Sequence, residues 1–409
     1  MTEVIDRPIS LFDVSDPSIY ANDTWREPFA ALRRAMPISW CPKSPFGPYW
    51  SVVTHDLIRE VEAKPHIFSS ADEYGGITII DLEPERSLPN FIAMDGPRHA
   101  AQRRTVQPAF NPSEMERRED EIRGRTRALI ESLPLDTPFD WVEKVSTELT
   151  IGMLAILFDF PWEEKADLRR WSDWSSDLRP PELRDEAFLA ESSFQLNQML
   201  ARIDRLMEEK RALPPTDDLI SRMVHSEAMG HMPERERLGN YALLIVGGND
   251  TTRNSMSAFA DICARDPAKL DQLRTHPDLV ANATQEVIRW QSPVSHMRRT
   301  ALEDHEIGGQ TIRKGEKVVL WYISGNRDEA VFADPETVDF ARENARRHLG
   351  FGFGVHRCVG ARLAELQLGI LFAEVARRGA RLEPAGKPQW APTPFLHIYA
   401  QLPVRLVQA

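Results

Sequence analysis

The stretch Phe351-Gly-Phe-Gly-Val-His-Arg-Cys-Val-Gly360 decides how the rest of this chain is read. Across its end and beyond it, Val359, Leu363, Leu366 and Ile370 recur at steps of four, three and four. That period is the apolar stripe of an amphipathic helix, and the pattern carries it to about Arg378. Cys358 therefore stands at a helix start, where free N–H groups and the positive end of the dipole favour a thiolate. Gly352, Gly354 and Gly360 let the backbone turn tightly and come close to a flat ligand. A lone cysteine is more often a small buried hydrophobe. Such a residue has no need of three glycines and a flanking His-Arg pair, so the segment reads as a ligand loop.

Three segments upstream carry further chemistry. Glu286-Val-Ile-Arg289 lies in a helical pattern that stops before Pro293. A spacing of three puts its carboxylate and guanidinium on one face. Taken alone it is a solvated pair worth about a few tenths of a kcal/mol. The predicted helix Asn240–Asp266 contains Gly247-Gly248-Asn249-Asp250-Thr251-Thr252. Adjacent glycines cost a helix roughly 1 kcal/mol each relative to alanine, so they serve something other than helix stability. One reading is close helix packing. The other is a groove opened in the helix, with Thr251 bonded to a carbonyl one turn back. Asp95-Gly-Pro-Arg-His99-Ala-Ala-Gln-Arg103 opens another helix, with Asp95 in the capping region and Pro97 in the first turn. His99 and Arg103 share a face there, and alone would be surface charge.

The bulk properties narrow the class. A net charge of −12 over 409 residues argues against nucleic acid as a partner, because phosphate binding wants a basic face. No apolar run is long enough for a membrane span. The start, MTEVIDRPIS, lacks the basic and apolar regions of a signal peptide. Cys41, Cys263 and Cys358 are too few for a disulfide framework, and the first two read as packing residues. The expectation is a cytoplasmic, reduced, globular protein. With no repeat, low-complexity tract or Gly/Ser linker, residues 1–409 are expected to form one domain, on which 1–29 packs as an N-terminal extension. Strand signals fall at Pro37–Trp40, Tyr49–Val53, His305–Ile323 (turns at Gly308-Gly309 and Lys314-Gly315) and Leu396–Val407. Nearly everything between Arg98 and Trp290 reads as helix. The fold class is mainly α with small β-sheets.

These segments together resemble the cytochrome P-450 family. Phe351, Gly354, Cys358 and Gly360 match its haem signature Phe-x-x-Gly-x-x-x-Cys-x-Gly, and with that signature five motifs stand in the family's order over roughly residues 30–409. The resemblance implies the P-450 fold, a triangular prism with haem b between the oxygen-binding helix and the cysteine-loop helix. It implies Cys358 as the axial ligand of the haem iron, with Phe351 near the sulfur and Gly360 in the same loop. His99, Arg103, Arg299 and His356 match contacts to the haem propionates. Four cationic side chains would then neutralise two buried carboxylates. Glu286, Arg289 and Arg342 match a structural triad. Asp250 and Thr251 match the acid–alcohol pair that delivers protons. Leu243, Val246, Gly247, Phe395 and Leu396 match substrate-contacting positions, although apolar residues there would also suit a plain core. Gly96 departs from the family pattern, which has proline, and points to a looser turn into that helix.

The implied activity is a monooxygenase reaction, in which O2 and two electrons enter, one oxygen atom goes into a C–H bond and the other into water. No G-x-G-x-x-G follows a strand, so electrons are expected from a separate ferredoxin with its ferredoxin reductase. Val246–Ser255, His296–Ala301 and Trp321–Asp328 are similar to the bacterial soluble alkane terminal hydroxylases that also oxidise fatty acids. That branch implies terminal (omega) hydroxylation of medium-chain alkanes or fatty acids. The loops Tyr74–Asn90 and Arg179–Gln198 would set substrate choice and match least, leaving a terpenoid, steroid or aromatic substrate as the alternative. A peroxide-driven relative typically dispenses with the acid–alcohol pair, and a haem sensor or carrier has no use for the oxygen helix. Arg104, Arg346, Arg347, Arg357 and Arg362 are either scattered surface charge or a basic face for an acidic ferredoxin.

Overall fold

The computed structural model describes residues 7–82, 87–175 and 185–408. Residues 83–86 and 179–184, which belong to the two loops expected to set substrate choice, lie outside that set, as do 1–6 of the N-terminal extension. A long central helix, Glu234–Arg265, organises the body. Its second half is buried almost continuously from Asn249 to Ala264, so its polar residues need partners inside the protein. They have them: Asn249 bonds Thr150 and Ser172, and Asp261 bonds Tyr399 and Arg265. Helices Glu148–Phe158, Lys165–Ser175, Glu186–Arg211, Val280–Gln291 and Ala361–Arg378 pack around it. Glu148–Phe158 (ELTIGMLAILF) is apolar on nearly all sides, the mark of an interior helix. Among the described residues no helix is long and apolar enough to cross a membrane.

The main sheet has the strand order Ile38–Cys41, Tyr49–Val52, Lys317–Leu320, Met297–Ala301, Phe68–Ser69. Met297–Ala301 gave no strand signal in the sequence, because two adjacent arginines break the alternation of apolar residues. Their burial is compensated: Arg298 reaches Asp81 at 2.6 Å and Arg299 reaches Glu62 at 3.1 Å. His305–Ile307 and Gln310–Ile312 form a separate hairpin. Two small sheets hold the C-terminal strands Tyr399–Gln401 and Pro403–Gln408, the latter pairing with Ala380–Pro384 and Phe139–Asp140. Strand pairing in that region begins at Tyr399, and Leu396 makes only an isolated bridge to Val294. In the N-terminal region, Tyr20, Trp25 and Phe29 are buried in one cluster with Trp321 and Ile323.

The pair Glu286 and Arg289 is fully buried, not a solvated surface pair. Arg289 grips the carboxylate through Nε and Nη2 at 2.7 and 2.8 Å. Arg342 adds its Nε at 3.0 and 3.1 Å. Both guanidiniums also donate to carbonyls of the segment 326–337, including Asn326, Pro335 and Thr337. The triad thereby fastens the irregular chain that leads into the cysteine loop.

Candidate active site

Two elements face each other across a cavity. On one side is the central helix, on the other the loop before Ala361–Arg378. Cys358 lies two residues before the helix cap Gly360, its N–H donating to the Phe351 carbonyl at 2.8 Å. Gly352 and Gly354 have φ of +68° and +69°, the left-handed conformation that permits the loop its turn. Gly360, at φ −86°, does not need that freedom. Phe351, His356, Cys358 and Gly360 all line the cavity. Cys358 is accessible from the open cavity but packed by protein on its other sides. That burial pushes its thiol pKa up, while the Gly360 N–H, Arg103 and Arg357 pull it down. The helix start alone therefore does not make it a thiolate; a bound metal ion deprotonates such a thiol outright.

The central helix runs unbroken past its two glycines, which have different reasons. A Cβ on Gly248 would lie 2.7 Å from Leu154 Cδ2, so it permits close helix packing. Gly247 faces open space with nothing within 4 Å, and its carbonyl accepts from the Thr251 hydroxyl at 2.9 Å. Leu244, Gly248, Thr251 and Ser255, at steps of four, three and four, line the cavity together with Leu243 and Gly247. Val246 does not, because it shares its helix face with Asp250 and Arg253. Asp250 is fully buried behind the wall, paired with Arg253 at 2.6 Å, and Arg253 reaches Asp173 on Lys165–Ser175 at 3.3 Å. The acid and the alcohol are adjacent in sequence but point to different sides.

Two other pocket expectations are corrected. Leu396 is 2% exposed and held at its bridge to Val294, and Phe395 packs on the His296 ring at 5.4 Å. Neither is on the cavity wall. The apolar wall comes instead from Ile77, Ile92, Val294 and Met297 beside Leu243. Met297 shares a strand face with Arg299, but the strand itself left no signal in the sequence, so the residue was missed. Ile77 and Ile92 come from loops that carry no such period.

Along one edge of the cavity stand Arg103, Arg299 and His356, with the His99 ring tilted against that of His356 at 4.3 Å between ring centres. Arg103 makes no hydrogen bond or ion pair among the described residues, in a chain where most arginines do. His99 Nε2 and His356 Nδ1 are buried without partners. Burial pushes both imidazoles toward the neutral form, with the nearby arginines adding to it, and His356 is driven down to about 2. At this edge the two guanidiniums carry the positive charge, while burial works against charging the two imidazoles. Asp95 does not cap its helix but bonds Ser69 and Ser70, and Gly96 sits at φ +54°, which proline cannot adopt.

A family model described as cytochrome P450 matches residues 189–380. Linalool 8-monooxygenase of Pseudomonas putida is 39% identical over 405 residues, 97% of this chain and 98% of that protein. A methyl-branched lipid omega-hydroxylase of Mycobacterium tuberculosis is 34% identical over 387 residues, 92% of this chain and 90% of its own length. The solved structure of cytochrome P450-153 from Novosphingobium aromaticivorans matches with a TM-score of 0.91 at 48% identity, covering 96% of this chain and 99% of that one. This chain belongs to the cytochrome P-450 family. It is a haem-dependent monooxygenase of that family. The cavity fits the cofactor: a sulfur faces open space, a bare glycine face lies opposite, and one edge carries an unpaired guanidinium and two orphaned imidazole nitrogens.

Proposed function

We propose that this enzyme hydroxylates the terminal carbon of medium-chain linear alkanes or fatty acids. The observation that carries this reading is the wall beside Thr251. Ile77, Ile92, Leu243, Val294 and Met297 are all apolar and come from three separate parts of the chain, so they can enclose a greasy chain end. Terminal methyl C–H bonds are stronger than those of inner methylenes, so attack at the end must be imposed by holding the substrate in place. Haem with a thiolate ligand supplies the oxygen activation, placing one atom of O2 in the substrate and the other in water. Cys358 would hold the haem iron through its sulfur, with Phe351 and the Gly360 N–H shaping its surroundings. Arg103, Arg299, His99 and His356 would hold the propionates, with charge and hydrogen bonds replacing lost hydration. Thr251 organises the proton route at the cavity, and Asp250 is its acid, reached by rotation away from Arg253 or through intervening hydroxyls.

Electrons come from a ferredoxin and its reductase. In support, Arg59, Arg346, Arg347 and Arg357 line a recess behind the cysteine loop that has no carboxylate in its wall. None of the four forms an ion pair among the described residues, and Arg104 and Arg362 stand exposed and equally unpaired. An acidic partner would be steered to such a face.

A second reading has its own support. The relative named linalool 8-monooxygenase points to a branched terpenoid, and the omega-hydroxylase relatives to methyl-branched lipids. The discriminating experiment titrates the purified holoenzyme with linear alkanes, fatty acids and linalool, reads the haem spin-state change, and identifies products after reconstitution. Linear chains that bind and give terminal alcohols support the reading. Terpenoid binding without linear-chain binding would replace it with the second.

A further inference from the structure

Glu62 is a buried carboxylic acid that the reaction above does not use. It ends the helix His55–Glu62 and is 4% exposed. Its Oε1 accepts from Arg299 Nη2 at 3.1 Å and from the Tyr322 hydroxyl. Its Oε2 is buried with no hydrogen-bond partner among the described residues. Burial pushes the carboxyl pKa up, against the pull of Arg299, Tyr322 and the Phe353 amide. Both donors, Arg299 and Tyr322, stand on the cavity wall, with Glu62 behind them.

The same residue abuts the loop that carries Cys358. A Cβ on Gly352 would lie 3.8 Å from Glu62 Oε1. Gly354 passes so close that a Cβ there would come to 2.6 Å from the Glu62 carbonyl oxygen. Helix 55–62, strand 297–301, the turn of helix Tyr322–Gly325 and the cysteine loop thus meet at one side chain.

Charge balance sharpens the point. Haem brings two carboxylates to an edge whose cations are Arg103 and Arg299. An ionised Glu62 would claim Arg299 and leave a buried excess of negative charge, which a low-dielectric site penalises. A protonated Glu62 still accepts from Arg299 and Tyr322 through Oε1 and leaves the guanidinium charge to the cofactor.

We propose that Glu62 is a positioning residue of the haem site, a hydrogen-bonding bracket that holds Arg299 and Tyr322 at the propionate edge and braces the cysteine loop from behind. This rests on the roles given above to Arg299 and Cys358. The test uses holoenzyme carrying Glu62→Gln, Glu62→Leu or Tyr322→Phe. Three quantities are measured: the rate of haem transfer to excess apomyoglobin, the haem reduction potential and the ferrous carbon monoxide band. Glutamine keeps the Oε1 acceptor, so its release rate should stay within about twofold of wild type and its potential unmoved. Leucine strands two buried donors, so release should quicken by about tenfold or more and the potential should shift. Tyr322→Phe removes one donor and should quicken release by roughly a few-fold. A leucine variant with wild-type release and potential overturns the proposal, and so does a glutamine variant that matches leucine. Should the leucine variant fail to fold, unchanged release from Tyr322→Phe overturns it instead. A wild-type protein without the thiolate carbon monoxide band would sink the Cys358 assignment, a failure separate from that of Glu62.

Discussion

Replacing Glu286 with glutamine removes the negative charge from a site that holds two guanidinium groups and is closed to water. In the native protein the carboxylate accepts from Arg289 at 2.7 and 2.8 Å, from Arg342 Nε at 3.0 and 3.1 Å, and from the Asp339 N–H at 2.9 Å. Glutamine has the same shape, but its NH2 must face a donor, and both cations lose their counter-charge. Breaking a buried ion pair from one side costs about 3–5 kcal/mol, against about 0–1 kcal/mol for an exposed pair. The guanidiniums keep their carbonyl acceptors at Asn326, Pro335 and Thr337, which places the loss near the lower bound, about 3 kcal/mol. That is a factor of roughly 100 in the folded-to-unfolded ratio and a large share of the ~5–15 kcal/mol typical of a folded domain. The assay is urea unfolding, followed by far-UV dichroism and by haem absorbance, with the midpoint compared at unchanged slope. Glu286 does not line the cavity, so the folded variant should retain the thiolate band. A loss below about 1 kcal/mol would refute the reasoning, because the triad would then behave as a surface pair.

Other expectations follow from the same geometry. Thr251→Ala should retain haem and substrate binding while electron use separates from product and peroxide accumulates; full coupling would remove Thr251 from the proton route. Arg357→Glu should slow ferredoxin-driven reduction several-fold at low salt, with the difference shrinking as salt rises; equal rates at low ionic strength would exclude that face. Met297→Ala should move oxidation inward along a linear chain, whereas Leu396→Ala, off the wall and 2% exposed, should instead cost about 2–5 kcal/mol of stability with little change in regiochemistry. Product profiles by gas chromatography separate the two, and a regiochemical shift confined to Leu396→Ala would overturn the assignment of the wall. Finally, burial drives His296 down to about 4 and His348 and His397 to about 3. Unfolded, each takes up a proton near pH ~6.5, so the unfolded state binds more protons and acid favours it. Stability should be intact above that pH and fall by about 4 kcal/mol per pH unit between roughly pH 5.5 and 4.5, at ~1.4 kcal/mol for each of three histidines. Urea midpoints that stay flat across this window would show that these imidazoles are charged in the folded protein.

Sequence and structure contributed different things, for physical reasons. The cysteine loop was legible because its constraints are local: two glycines at positive φ, a helix beginning at Ala361 and a sulfur between them are all set within about a turn of chain. Helical period was equally local, and it separates Thr251 from Val246 and Asp250 once the face is known. Sequence by itself thus determined the family, the cofactor and the loop that carries the sulfur. What it could not determine was which side chains meet when the separation along the chain is long. Glu62 and Arg299 are 237 residues apart, and nothing in either segment announces the other. Arg59 joins the recess behind the cysteine loop from the opposite end of the sequence. The strand Met297–Ala301 was hidden because its arginines look like surface charge until Asp81 and Glu62 arrive to neutralise them. Charge state is decided at the same level: His99 and His356 read as cations in the sequence, and burial beside arginines pushes both toward the neutral form, since the free energy of a buried charge depends on neighbours that only the folded chain supplies.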